Sequence, residues 1–217
     1  MSNPLLQLLV LGAIAVFLIL RLRGVLGTRD GFESPRLPDE PAERKRFDVI
    51  DGGEGVDNDI NDHAEPGSAN AKALAEMKSV EPQFAVGPFL SGAKSAYEMI
   101  LMAFERGDLS EVRAFLAPPV AEAFETVIAD RKARNLTTTA EFLGTRETAL
   151  AEAEFNRATG MAELSVRFVG EMIVATRDAD GNVVEGDPKA ARKQRDVWTF
   201  ARQMGASDPN WQLVATA

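Results

Sequence analysis

Apolar residues follow three regimes along the chain, and each implies a different element. From Pro4 to Leu20 they are nearly continuous: seventeen residues carry no charge, and Gln7 is the one strongly polar side chain. From Asp30 to about Val80 no apolar periodicity survives, and the segment is punctuated by Pro35, Pro38, Pro41, Pro66 and Pro82 and by Gly52, Gly53, Gly55 and Gly67. From Phe89 onward the spacing is first helical and then alternating.

The first regime predicts a transmembrane anchor helix over residues 4–27. At about 1.5 Å per residue the uncharged run gives roughly 26 Å of helix, a little less than the ~30 Å hydrocarbon core. Arg21 and Arg23 close that gap by laying their aliphatic stems along the acyl region, and Leu22, Val25 and Leu26 prolong the apolar stripe. A cleaved signal peptide would carry its positive charge before the run and a small-residue cleavage site after it. Here Arg21, Arg23 and Arg29 all follow the run. The expectation is therefore an uncleaved, single-pass anchor whose C-terminal side faces the cytoplasm.

The second regime predicts an acidic, disordered linker over residues 28–83, since it has too few large apolar side chains to offset the entropy of ordering. Two features interrupt it. Phe47, Val49 and Ile50 form an apolar island after Arg44, Lys45 and Arg46, which reads as incidental or as a short docking motif. Asp57, Asp59, Asp62 and His63 have the residue types of a metal loop, but they lack the central glycine and terminal bidentate glutamate that calcium needs.

The third regime predicts a domain over residues 84–217. Phe89, Ala93, Ala96, Tyr97, Ile100 and Phe104 share one face of a helix that should end at Gly107. A short helix capped by Asp108 or Ser110 should run to Leu116. Pro118 and Pro119 then open a third helix, with Val120, Phe124, Val127 and Ile128 on its apolar side.

After Asn135 the period changes to two. Residues 137–157 read as a long strand. Along 161–177, Ala162, Leu164, Val166, Phe168, Met172 and Val174 fall on one face, opposite Glu163, Ser165, Arg167, Glu171 and Arg177. A turn at 178–182 and strands near 191–203 and 210–216 complete the pattern. The fold class expected is α+β, with three helices packed on a curved four-stranded antiparallel sheet.

Charge sharpens this division. Of the net charge of −9, residues 1–29 carry +3, residues 30–66 carry −8 and residues 67–217 carry −4. With no basic domain or linker, nucleic acid is excluded as an expected partner. With no cysteine, the domain has neither disulfides nor thiolate chemistry and must stand on its apolar core.

Catalytic residue types are sparse. The one histidine, His63, lies in the predicted linker, and the one tyrosine is Tyr97. A carboxylate base with Tyr97 as oxyanion donor is the single catalytic pair available, and Tyr97 also fits a core stripe with Ala93 and Ile100. Neither a metal nor a cofactor is expected. Trp198 and Phe200, in a strand that is apolar on both sides, read as packing residues or as the lining of a pocket for an acyl chain or apolar peptide.

Several segments together resemble a known family. RLRGVLGTRDG at 21–31 resembles the start of alphaproteobacterial TimA-type proteins. FLSGAKSAYE at 89–98, AFERGD at 103–108, VEGD at 184–187, DVWTFAR at 196–202 and DPNWQL at 208–213 resemble the Tim44-like domain, which is shared with a subunit of the mitochondrial inner-membrane import motor. The resemblance implies a nuclear-transport-factor-like cone with a pocket between helices and sheet. The candidate lining is Tyr97, Ile100, Phe104, Phe124, Val166, Phe168, Trp198 and Phe200.

It also implies a non-catalytic adaptor at the bacterial inner membrane that contacts inner-membrane lipids such as cardiolipin and protein partners, with links to protein translocation or membrane protein assembly. The long charged N-terminal region tied to chaperone contacts in the mitochondrial protein is replaced here by the span and acidic linker, so chaperone recruitment is not expected to carry over. Two alternatives stand beside the adaptor: a small-molecule enzyme using the pocket, and a module that binds lipid only.

Overall fold

The switch of apolar period at Asn135 is a physical boundary. Asn135 takes a left-handed conformation (φ 51°), the Leu136 N–H donates to Arg131 O at 2.9 Å, and the chain leaves its last helix for the sheet. The computed structural model describes residues 57–217. The predicted anchor over 4–27, its flanking Arg21, Arg23 and Arg29, and residues 28–56 of the predicted linker lie outside the described residues. Among the described residues no helix is long and apolar enough to cross a membrane.

Among the described residues four α-helices precede the sheet: α1 (Asn58–Asn61), α2 (Ala69–Val80), α3 (Val86–Arg106) and α4 (Pro118–Ala133). The strands are β1 (Thr137–Asn156), β2 (Met161–Arg177), β3 (Val183–Gly186), β4 (Arg192–Gln203) and β5 (Gln212–Thr216). The order β1-β2-β4-β5 is antiparallel throughout, and β3 pairs with the end of β2. The α+β class is as expected.

β2 realises its sequence pattern closely. Ala162, Leu164, Val166, Phe168, Met172 and Val174 are all buried on the helix side, while Glu163 and Arg167 are exposed on the other. Against this regular strand β1 carries one extra residue at three places, between Phe142 and Gly144, Thr145 and Glu147, and Leu150 and Glu152. Each such bulge bends the strand and increases its twist. Tyr97 and Ile100 of α3 are buried with Leu164, Val166, Phe168, Trp198 and Phe200 in one continuous core.

Four expectations are corrected. Residues 57–83 are not disordered linker: α1 and α2 occupy 58–61 and 69–80, and α2 packs against β1 with Leu74 and Met77 fully buried. Its stripe escapes a hydrophobic pattern because Ala71, Leu74 and Met77 are its only buried residues, and one of them is small. Ser68 caps it, accepting from Ala71 N–H at 3.1 Å.

The sheet has five strands, not four, because the segment after the 178–182 turn returns to pair Glu185 with Thr176 and Gly186 with Ala175. Only glycine fits at 186: its φ is +77°, and a Cβ there would meet Val174 O at 2.1 Å. Finally, the helix expected before Leu116 is a single 3-10 turn, Arg113–Phe115, and Val127 is exposed on α4.

Candidate functional site

α3 has no side-chain cap of its own, and the cap it receives explains the acidic run near residue 60. Asp59 accepts from Val86 N–H (2.8 Å) and Gly87 N–H (3.0 Å), and Lys78 bridges Asp57 and Asp59 at 2.7 and 2.8 Å. Burial would raise the Asp59 pKa, but the Lys78 ammonium and the two amides outweigh it and hold the carboxyl below its usual range. These aspartates orient α3. Among the described residues no set of three or more potential ligands is grouped for a metal.

Held in this way, the first half of α3 forms one wall of an apolar cavity of about 330 Å³. Pro88, Phe89, Gly92, Ala93, Ala96 and Ile100 contribute this wall; Phe200, Pro209, Asn210 and Trp211 face them, and Phe115 also lines the space. The small residues keep the helix surface low. A Cβ added at Gly92 would meet nothing within 4 Å. The opposing turn is held by Asp208, whose Oδ1 accepts from the backbone and side-chain amides of Asn210 at 2.9 and 2.8 Å.

Trp211 sits in an aromatic cluster, with ring centroids 4.7 Å from Phe89 and 6.0 Å from Phe84. The Arg202 guanidinium lies 5.2 Å from the Trp211 ring and pairs with Glu81 at 2.8 Å. Burial opposes ionisation of Glu81, but Arg202 and the Gly205 amide lower its pKa. Larger depressions beside Gly107–Lys132 (about 420 Å³) and Glu154–Glu163 (about 850 Å³) are open and lined with charged side chains. The α3 cavity is the more enclosed and more apolar, as a recognition pocket requires.

The one tyrosine is not part of the cavity lining. Tyr97 is fully buried, stacked on Phe168 (4.4 Å, 11°) and edge-on to Trp198 (4.8 Å), and its hydroxyl donates to Asp196 Oδ2 at 2.5 Å. Burial, then the Asp196 carboxylate, pushes its pKa far above that of free tyrosine, so the phenol stays neutral. Asp196 also accepts from Gln194 Nε2 at 3.2 Å. The tyrosine–carboxylate pair is thus an internal hydrogen bond beneath aromatic rings, with each group already engaged by the other.

A family model described as the Tim44-like domain matches residues 70–217, more than half of the chain. The chain belongs to the Tim44-like domain family. A search among curated proteins finds no match. Among solved structures, the intermembrane space region of the chloroplast protein ARC6 aligns at 11% identity and a TM-score of 0.39, over 58% of this chain and 93% of that one.

The Tim44-like domain brings only some of the sequence-predicted lining residues to the cavity. Ile100 and Phe200 line it. Tyr97, Val166, Phe168 and Trp198 are buried in the closed core instead, a correction that follows from the aromatic rings filling the space between α3 and the sheet. Phe104 and Phe124 are placed elsewhere, paired at 4.8 Å between α3 and α4, with the Arg131 guanidinium 4.6 Å from Phe104 and 3.2 Å from Glu105.

Sequence reasoning did not assign Pro88, Phe89, Gly92, Phe115, Pro209 or Trp211 to a site. A usable signal was present in the DPNWQL turn. Trp211 follows that turn directly, just before β5, and is only partly buried.

Proposed function

We propose that this Tim44-like chain is a TimA-type, membrane-anchored, non-catalytic adaptor of the bacterial inner membrane. Residues 4–27 form its single span, and the domain lies on the cytoplasmic side. The apolar cavity beside α3 is its recognition site for an extended apolar segment, supplied by a client or partner protein in translocation or membrane assembly. The observation that carries this reading is the cavity itself: about 330 Å³ enclosed by Phe89, Phe115, Phe200, Trp211 and the small residues of α3. Membership of a family whose domains contact membranes and protein partners supports it. The uncharged run Pro4–Leu20, followed by Arg21, Arg23 and Arg29, supports the anchor and its orientation. Helices on one face of a bulged antiparallel sheet suit a nuclear-transport-factor-like cone.

Gly92→Arg tests the reading, because its Cβ enters open space and the long side chain fills the cavity mouth without disturbing the core. Crosslinking and pulldown from detergent-solubilised membranes should recover specific proteins with the native chain and lose them with this variant. Flotation on cardiolipin-containing vesicles separates the lipid source. Should the variant abolish vesicle binding by the domain while protein capture is unchanged, the cavity holds an acyl chain and the adaptor assignment of this site fails.

A further inference from the structure

We propose that the outer border of β1 over Thr137–Phe142 is an interface between two copies of this chain, paired antiparallel so that their sheets become one. This surface shares no residue with the lining of the apolar cavity and is a second interaction site.

A strand at the border of a sheet carries a row of N–H and C=O groups that another strand can take. Elsewhere the fold covers or guards its borders. On β5, Leu116 bridges Leu213, and Ala117 N–H donates to Leu213 O at 2.9 Å. Arg192, Lys193 and Arg195 are exposed along the start of β4, and β3 is only four residues long. On β1 itself the Asn70 side chain fills the border near its end, donating to Ala151 O at 3.2 Å and accepting from Ala153 N–H at 3.1 Å. Three bulges interrupt the strand after Phe142. Thr137–Phe142 has none of these protections. It pairs with β2 without interruption, its sole charge is Glu141, and β2 is its only strand partner among the described residues.

An apolar shelf adjoins this border. A depression of about 570 Å³ between α3 and β1 is lined by Met99, Met102 and Phe142. Met99 is 39% exposed, and Leu143, at the end of the regular segment, 47%. An added strand gains affinity from its main-chain hydrogen bonds, and such a shelf receives what comes with it. Methionine suits the task because its unbranched, polarizable side chain adapts to the surface it meets.

The charges on α3 select a second copy over a foreign strand. A twofold axis normal to the sheet at Ala140 sets the two β1 strands antiparallel. Thr138 then lies opposite the second copy's Phe142 and Thr139 opposite its Glu141, so an aromatic ring meets a β-branched residue and no carboxylate faces its own image. The same axis keeps both helical layers on one side of the joined sheet and runs α3 antiparallel to its copy. Ala140 and Met102 line the same depression, so one axis serves strand and helix. Glu98 and Arg106 are spaced evenly about Met102, which brings the second copy's Arg106 beside Glu98 and its Glu98 beside Arg106. Both side chains are exposed, and neither forms an ion pair among the described residues.

The test uses the full-length chain. It has no cysteine, so A140C places a single thiol on the axis. Directly opposed residues have Cβ atoms about 5 Å apart, close to disulfide reach. Mild oxidation in native membranes should convert A140C to a disulfide-linked dimer and leave A179C, in the turn after β2, monomeric. In detergent micelles, E98K and R106E should each raise the dimer dissociation constant about tenfold by sedimentation, since each turns two attractions into two repulsions. The double variant E98K/R106E should return it to near the native value. Circular dichroism should show all three variants folded, because both side chains are exposed.

Equal oxidation of A140C and A179C overturns the proposal, as does a native chain that sediments only as a monomer. A dimer indifferent to E98K and R106E, or not rescued by the double variant, is held by another surface and overturns it too. An oxidised A140C adduct with a different protein, in place of one of twice the chain's mass, gives the border to a foreign strand and has the same consequence.

Discussion

The Tyr97 hydroxyl donates to Asp196 Oδ2 at 2.5 Å, joining the middle of α3 to β4 inside the aromatic stack of Phe168 and Trp198. Since the chain has a single tyrosine, ultraviolet absorbance of tyrosinate reports this bond alone. The folded pKa is raised above that of the unfolded chain by burial and by Asp196, so the stabilisation is complete below about pH 10 and is lost as pH rises towards the folded value. No tyrosinate should therefore appear in the folded domain near pH ~10, and ionisation should coincide with unfolding followed by circular dichroism. Ordinary ionisation in the folded protein would contradict the buried hydrogen bond.

Gly170 is the residue that leaves room for that bond. A Cβ there would lie 3.0 Å from Tyr97 Oη and 3.2 Å from Tyr97 Cε1, and the stacked ring has no free direction in which to yield. Gly170→Ala should cost about 1–3 kcal/mol in urea denaturation. Combined with Tyr97→Phe, which removes the nearest atom, the loss should be less than the sum of the two single losses.

Removing the cap on α3 should be measurable in the same way. Asp59→Ala frees the amides of Val86 and Gly87 and should cost about 1 kcal/mol, within the usual range for a lost N-cap. The Asp59 carboxyl is held below its unfolded pKa. Its contribution is thus present above about pH 4 and disappears as pH falls through the folded value. Native and Asp59→Ala proteins should differ in stability at neutral pH and converge in acid.

The Glu81–Arg202 pair should respond asymmetrically. The Arg202 side chain is 7% exposed and that of Glu81 26%, so deleting the acid strands the more buried charge. Glu81→Ala should cost about 3 kcal/mol, the lower end for breaking a buried pair, since Glu81 is partly hydrated already. Arg202→Met should cost less, because a lone Glu81 can turn to water. The reverse order in chemical denaturation would show that packing of Arg202 on Trp211, not the ion pair, dominates.

Much of this architecture was legible because periodicity reports which side of an element is buried. β2 is the clearest example: its alternation puts six apolar residues on one face, and all six are buried. Gly107, with φ +72°, ends α3 where its sequence position indicated. α2 was missed because its short stripe of Ala71, Leu74 and Met77 is hard to distinguish from a polar background. β3 was missed because all four of its residues are exposed and its pairing depends on where β2 ends.

The candidate site shows the boundary most clearly. By itself the sequence determined the order of helices and strands, the apolar faces of α3 and β2, the resemblance to the Tim44-like family and the scarcity of catalytic residue types. Those properties reside in local spacing and residue chemistry. Only the tertiary structure decided that Tyr97, Phe168 and Trp198 close on one another as core while Ile100 and Phe200 border a cavity. That choice depends on Asp59 holding the start of α3 and Asp208 holding the turn that presents Trp211. The residues joined there lie far apart in the chain, Tyr97 and Phe168 by 71 positions and Ile100 and Phe200 by 100, and local periodicity carries no information on contacts of that range.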